Sequence, residues 1–220
     1  MMTPARRHLL RHQAQAANQQ ENQTYANGYE LMLAKLATDK RRLKAIQSIE
    51  RKIEVKGELL PDYQPWVSGV LAADSQQQDD VFMTVLLWTL DTGDFPAAYP
   101  MAEHALKHGW VTPDQYQRQT ACMVAEEVAD TALKQLTAGT FAALDSLLAF
   151  AGLLADQDMP DQVRARLHKA LGLAQSESQP QEALAQFLRA LQLDENVGVK
   201  KLIEQLERQI RNNPPDQSTE

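Results

Sequence analysis

The sequence predicts an all-α protein, and two observations lead to that expectation. Ala, Leu and Gln number 83, whereas the strand-favouring residues Val, Ile and Thr number 28, so the intrinsic backbone preferences favour helix. Apolar residues also recur at spacings of three, four and seven through much of the chain, which is the period of an amphipathic helix. With 220 residues and 44% hydrophobic content, the chain is long enough to bury a core.

The N-terminal quarter predicts a basic arm followed by one long basic helix. Residues 1–24 are rich in Gln, Asn and Ala and carry Arg6, Arg7 and Arg11, which predicts a mobile arm. Residues 25–60 form the predicted DNA-binding and oligomerisation segment, a continuous amphipathic helix that Gly57 and Pro61 end. Its apolar stripe needs a protein partner, so we assign it to self-association. The stripe includes Leu33, Leu36, Leu43, Ile46, Ile49 and Ile53.

Gly, Pro and polar turns divide the rest into shorter helices, grouped as a central bundle over 61–157 and C-terminal helical hairpins over 158–211. Residues 81–90 are apolar on nearly all sides, which predicts a buried helix. Residues 182–194 resemble a tetratricopeptide-type helix pair, and residues 212–220 predict a disordered tail. The other predicted helices cover 61–73, 95–108, 112–136, a segment ending near Asp156, 161–175, 181–193 and 197–211.

The formal charge of −7 conceals a strong asymmetry, because residues 1–56 carry +6 and the remaining 164 residues carry −13. The basic residues centre on Lys40, Arg41, Arg42 and Lys44, followed by Arg51 and Lys52. On one continuous helix Arg41, Lys44, Arg51 and Lys52 would line a stripe that suits a phosphate backbone. The alternative is a solvated face of a coiled-coil helix. No helix-turn-helix signal is present, so we assign no base-specific contacts.

Acidic residues cluster at three places, which raises the possibility of a two-metal nuclease. In the third cluster Glu126 and Asp130 would share one helix face, and they are the candidate catalytic residues of that interpretation. The first two clusters lie at helix starts and turns, where acids cap free amides, so we favour capping over catalysis. The clusters are Asp74, Asp79 and Asp80; Asp91 and Asp94; and Glu126, Glu127 and Asp130.

His104 and His108 lie one helical turn apart, as metal ligands often do. Because no Cys, third His or glutamate follows in a metal-site spacing, we predict a surface pair, and we expect neither a metal nor a cofactor. The three tryptophans, Trp66, Trp88 and Trp110, lie among apolar residues and are predicted core anchors. The sequence has no glycine-rich phosphate loop of the Walker type, which argues against an ATPase.

The sequence indicates a protein of a reducing cellular interior. Cys122 is the single cysteine, so no internal disulfide is possible, and its apolar neighbours predict a small buried side chain. No apolar run approaches the roughly 18 residues that a membrane span requires. The N-terminus lacks the apolar segment of a signal peptide, so we expect a cytoplasmic protein.

Several separated segments of the chain resemble, in order, a known viral family. They run from Tyr29 to Lys52, Leu59 to Val67, Gln78 to Val81, Gly93 to Phe95, Val124 to Glu127, Asp158 to Gln162 and Gly198 to Lys201, with Trp88 between them. Together they are similar to the small terminase subunit of contractile-tailed temperate phages of the peduovirus type. The resemblance covers most of the chain.

The resemblance implies a component of the genome-packaging motor in the host cytoplasm. Small terminase subunits bind the packaging site on double-stranded viral DNA as rings or other homo-oligomers. They pass that DNA to a large subunit, which supplies the ATPase and usually the nuclease. Members of this family are sometimes labelled the endonuclease subunit, although we see no nuclease motif in this sequence. Two rival hypotheses remain, a metal-dependent endonuclease and a helical-repeat scaffold that binds proteins.

Overall fold

The computed structural model describes residues 28–112 and 119–212. This part of the chain contains nine helices and no strand, which confirms the predicted all-α class. The chain divides into two compact units, Met1–Lys52 and Ile53–Glu220. The helices are α1 (residues 28–44), α2 (Ile49–Ala72), α3 (Asp80–Thr92), α4 (Phe95–Lys107), α5 (Thr120–Ala138), α6 (Leu144–Leu153), α7 (Asp161–Gln175), α8 (Pro180–Leu193) and α9 (Lys200–Asn212).

The predicted single helix at the N-terminal end is wrong, because residues 45–48 are not helical. Ser48 begins a second helix at this point. Its hydroxyl Oγ accepts from the amide of Arg51 at 3.2 Å, and its carbonyl accepts from the amide of Lys52 at 3.0 Å. A serine that caps free amides in this way competes with a continuous helix. The long helix is therefore two helices, α1 and α2.

Helix α2 also continues through the residues that were predicted to stop it. Gly57 and Pro61 lie inside the helix, as does Pro65, and all three are exposed. The proline rings leave carbonyls of the preceding turn without a helical donor, and on an exposed face water can bond those carbonyls. The opposite face packs without interruption. Its buried residues are Val55, Leu59, Tyr63, Val67 and Val70.

Helix α3 is buried in the core of the second unit, as the apolar pattern predicted. Every residue from Val81 to Leu86 is buried. The ring of Phe82 contacts the indole of Trp110 edge-on, with 5.2 Å between centroids. Trp88 contacts Tyr63 in the same manner at 5.9 Å. Trp88 and Trp110 are thus confirmed as core anchors, whereas Trp66 is only half-buried.

Helix α5 begins later than the sequence predicted. We expected a helix from Thr112, but Thr112 and Gln119 are not helical, and the first helical residue is Thr120. The residues between, 113–118, lie outside the described part of the chain. Gly139 ends α5 with a φ of 69°, a left-handed conformation that glycine adopts without steric cost.

The three C-terminal helices enclose a small apolar cluster of their own. Helices α7 and α8 pack along each other, and α9 packs on α8. A Cβ atom at Gly172 on α7 would lie 2.5 Å from the ring of Phe187 on α8, so the glycine permits their close approach. The tetratricopeptide-like character of this region stays a prediction. The cluster comprises Ala165, Ala183, Phe187, Ala190, Val197, Val199, Ile203 and Leu206.

Candidate nucleic-acid interface and neighbouring charged clusters

The predicted basic cluster lies at the C-terminal end of α1, and the side chains of Lys40, Arg41, Arg42 and Lys44 are all exposed. Arg41 is held along its own helix, since Nη2 donates to Thr38 Oγ1 at 3.1 Å and Nε donates to a main-chain carbonyl. Cations at a helix C-terminus also complement the helix dipole. The arrangement therefore stabilises α1, and the side chains of the four cations are accessible to solvent.

The other residues that were predicted to contact DNA do not continue this basic stripe along α1. Arg51 and Lys52 lie in the first turn of α2, beyond the break at residues 45–48, so helical periodicity does not align them with Arg41 and Lys44. The positive end of the helix dipole does not favour cations at that position. Their role in DNA binding stays a prediction. The predicted contacts Arg6, Arg7 and Arg11 lie outside the described residues.

The predicted oligomerisation stripe differs from residue to residue in its exposure. Leu36 and Leu43 are buried, at 3% and 7% exposed, and Leu33, Ile46 and Ile53 are half-buried. Ile49 is 70% exposed, and Leu31, which we had not assigned to the stripe, is 73% exposed. Among residues 28–52, the part of the first unit that the structure describes, these last two are the large apolar side chains that are exposed in a single copy of the chain.

Two of the acidic clusters supply helix caps, as predicted. Asp79 is the N-cap of α3 and accepts from the amide of Phe82 at 2.8 Å. Asp94 is the N-cap of α4 and accepts from the amide of Ala97 at 3.2 Å. Each carboxylate satisfies an amide that has no partner inside its helix. These acids therefore begin helices.

One residue of the third acidic cluster, and one of the second, form ion pairs with cations from other helices. Asp130 forms an ion pair with Arg166 of α7, and Asp91 forms one with Lys56 of α2. Burial, and then the nearby charge of Asp91, raises the pKa of Glu127 above its ordinary value. Within the described residues, neither Glu126 nor Asp130 belongs to a group of three potential metal ligands.

Within the described ranges, one group of potential metal ligands was not recognised from the sequence. Asp74, two residues after α2, lies against His104 and His108 at the end of α4. Its carboxylate accepts from Lys107 Nζ at 2.8 Å and lies 2.9 Å from His108 Nε2. These hydrogen bonds lower the pKa of Asp74 to about 2, whereas burial lowers the pKa of His104. The histidine spacing was the only sequence signal, because Asp74 lies 30 residues away.

Comparison with known proteins supports the resemblance drawn from the sequence. A family model described as phage small terminase subunit matches residues 33–162. A protein of Escherichia phage P2 named "Terminase, endonuclease subunit" is 46% identical over 220 residues, spanning 99% of this chain and 89% of that protein. A protein of Haemophilus phage HP1 (strain HP1c1) named "Probable terminase, endonuclease subunit" is 24% identical over 196 residues, spanning 82% and 70%. No solved structure matches.

Proposed function

This chain belongs to the phage small terminase subunit family, and from that premise we propose that it binds viral packaging-site DNA as a homo-oligomer and presents it to the large terminase subunit. The large subunit would then cut the DNA and package it into the procapsid. Membership of the family supports a role in phage DNA packaging. No helix in the described part of the chain is long and apolar enough to cross a membrane.

The observation that carries the proposal is the exposed basic cluster on α1. Lys40, Arg41, Arg42 and Lys44 place four cations within five residues, and all four are exposed. They stand in a chain whose net charge is −7, so a polyanion would be repelled by much of the remaining surface and drawn to this segment. Each phosphate that a cation neutralises releases counterions, which supplies a favourable free energy that does not depend on DNA sequence.

Self-association would multiply these contacts. One α1 helix presents only a few cations, but several copies bound to the same duplex would act together, since the later contacts become intramolecular. The exposed side chains of Leu31 and Ile49 are apolar surface that an oligomer would bury. They lie in the same unit as the basic cluster, so the interface and the DNA-binding residues would be close in sequence.

A metal-dependent endonuclease is the second candidate, because the names of both relatives include the word endonuclease. The candidate catalytic residues Glu126 and Asp130 lie on α5, and Asp130 pairs with Arg166. A nuclease that used Asp130 as a metal ligand would first have to break that ion pair. We therefore propose a non-catalytic role for this subunit. Cleavage of DNA by the purified chain with Mg²⁺ or Mn²⁺, abolished by Glu126→Gln, would contradict that proposal.

Two variants with equal changes of charge test the DNA-binding site. The first changes Lys40, Arg41, Arg42 and Lys44 to Ala. The second changes four exposed cations of α9 to Ala, namely Lys200, Lys201, Arg208 and Arg211. Binding to a labelled packaging-site duplex is measured by fluorescence anisotropy over a range of salt concentrations.

We expect the α1 variant alone to lose affinity. If all four cations contact phosphates, the plot of log K against log salt should also become less steep. The magnitude of its negative slope should decrease by about 3 to 4, since each contact contributes roughly 0.9. Equal losses in both variants would mean that net charge, and not this cluster, governs binding. Absence of binding by the unmodified chain at low salt would favour a protein-interaction scaffold instead.

A further inference from the structure

The cluster of Asp74, His104 and His108 has the ligand set of a metal site. One nitrogen from each imidazole and one carboxylate oxygen all lie within 4.8 Å of one another. A tetrahedral cation bound at 2.0–2.1 Å places its ligand atoms roughly 3.4 Å apart. The three ligand atoms therefore need to move only slightly closer together to bind a cation. The Asp74 side chain has the freedom to make this movement, because it is 57% exposed.

The orientation of His104 leaves a lone pair directed into this cluster. Its Nε2 lies 2.9 Å from the carbonyl oxygen of Ser75, so Nε2 must carry a proton and donate it. In the neutral imidazole the other nitrogen, Nδ1, is then an acceptor, and it lies 3.7 Å from Asp74 Oδ1. Two acceptor atoms that face each other are brought together favourably by a cation between them. A histidine ligand whose second nitrogen donates to a main-chain carbonyl is typical of protein metal sites.

The surroundings of the two histidines also suit a bound cation. The His104 side chain is 5% exposed and the His108 side chain 9%. The rings of Phe82 and Trp110 pack on His104, with centroids 5.6 and 4.9 Å away. These rings hold the His104 imidazole on the protein side, and the His108 ring packs on His104 with 4.5 Å between centroids. The carboxylate side faces solvent. A cation would thus enter from the Asp74 side and keep water at its remaining positions.

We propose that Asp74, His104 and His108 bind one divalent transition-metal ion of the zinc class. Two imidazoles and one carboxylate are ligands that Zn²⁺, Co²⁺ and Ni²⁺ accept, whereas Mg²⁺ and Ca²⁺ prefer oxygen alone. The ion would tie the residue after α2 to the end of α4. No DNA contact and no catalytic step is required for this binding.

Lys107 distinguishes a metal site from a simple structural ion pair. Its Nζ lies 2.8 Å from both carboxylate oxygens of Asp74, so it competes directly with a cation for that ligand. Lys107 is itself 57% exposed and can swing into solvent when the ion binds. Removal of Lys107 should therefore tighten metal binding. If the cluster serves only as an ion pair, the same change removes a contact and creates no metal affinity.

The experiment titrates Zn²⁺ into the full-length chain by calorimetry, after treatment with a chelator. His8 and His12, which are also four residues apart in the sequence, are changed to Ala in every sample so that they cannot bind the ion. We expect one equivalent of Zn²⁺ in this background and a several-fold tighter site in Lys107→Met. Asp74→Asn and His108→Ala should each weaken binding at least tenfold. Glu103→Gln, an exposed residue on the same helix, is the control for charge and should bind normally.

Substitution of Co²⁺ gives a second measurement that does not depend on stability. We expect a visible absorption band from bound Co²⁺ that His108→Ala abolishes, in samples whose far-ultraviolet circular dichroism matches the parent chain. Absence of Zn²⁺ and Co²⁺ binding by the parent would overturn the proposal. So would binding that Asp74→Asn and His108→Ala leave unchanged, or a Lys107→Met variant that binds more weakly than the parent.

Discussion

The indole Nε1 of Trp66 donates to Oδ2 of Asp79 at 2.8 Å, while Oδ1 of the same carboxylate accepts from the amide of Phe82, also at 2.8 Å. Asp79 is completely buried. One carboxylate therefore begins α3 and also fixes a tryptophan of α2 beside it. A buried carboxyl group is tolerated at this position because it accepts hydrogen bonds from donors on two helices.

Asp79→Ala should destabilise the second unit strongly. The change removes the cap of α3, which costs about 1 kcal/mol, and the hydrogen bond to the half-buried Trp66 indole, which contributes about 0.5–1.5 kcal/mol more. Urea unfolding measures the loss of unfolding free energy. The matched control is Asp94→Ala, which removes an exposed cap alone and should cost about 1 kcal/mol. Equal losses in the two variants would show that the contact with Trp66 contributes nothing.

Gly172→Ala should destabilise the contact between α7 and α8. The added methyl would lie 2.5 Å from the Phe187 ring, and overpacking of this kind costs about 1–3 kcal/mol. Phe187→Leu in the same chain should recover part of the loss, because it removes the opposing ring atoms. Gly69→Ala on α2 is the control, since its Cβ would meet nothing within 4 Å. Better helix propensity should stabilise that variant by about 0.5–1 kcal/mol.

Glu127→Gln should raise stability at neutral pH and lose that advantage in acid. Burial raises the pKa of Glu127 above 4.5 in the folded protein, so between 4.5 and the raised value the folded state binds more protons than the unfolded state. Stability of the parent chain therefore falls as pH rises through that window. Glu127→Gln removes the ionisable group, so the variant does not lose stability in this way as pH rises. Its advantage in urea unfolding should be full above the raised pKa and vanish below about pH 4.5.

The control for Glu127→Gln is Glu204→Gln, which removes one carboxylate from an exposed position on α9. It matches the change in net charge without any change in burial. If both variants show the same pH profile, long-range charge and not burial of Glu127 accounts for the effect.

Ile49→Glu should reduce the mass of the proposed oligomer without unfolding the chain. Ile49 is 70% exposed and is the first residue of α2, where an acid complements the helix dipole. A charge buried in a subunit interface is costly, so native mass spectrometry should show smaller species. Leu188→Glu on α8, another exposed apolar position, is the control and should leave the mass unchanged. An unaltered mass for Ile49→Glu would exclude this side chain from the interface.

Much of the fold was predictable because local signals and tertiary packing agree. The apolar run from Val81 predicted the buried helix α3, and the acids Asp79 and Asp94 act as the caps that their positions indicated. Gly109 and Gly139 both adopt positive φ at helix ends, where left-handed backbone is expected. In each case one or two residues determine the local structure.

The errors arose where two local signals conflicted or where the partner was distant in sequence. Leu43, Ile46 and Ile49 keep a three-residue spacing across residues 45–48, so periodicity alone could not show that Ser48 caps a new helix. The cluster at Asp74 was missed for a different reason. Its partners, His104 and His108, are brought to it only by the tertiary contact between the end of α4 and the turn that contains Asp74 and Ser75.

Two interior prolines give α2 a particular place in the order of folding. Pro61 and Pro65 each remove a helical hydrogen bond, at a cost of about 3 kcal/mol per residue in an isolated helix. As a free peptide α2 would therefore remain a coil, and its helical form depends on the side chains that cover its buried face. During synthesis α2 leaves the ribosome before α3, whose Trp88 contacts Tyr63. Helix α2 therefore becomes stably helical only after the later helices that cover its buried face have been synthesised.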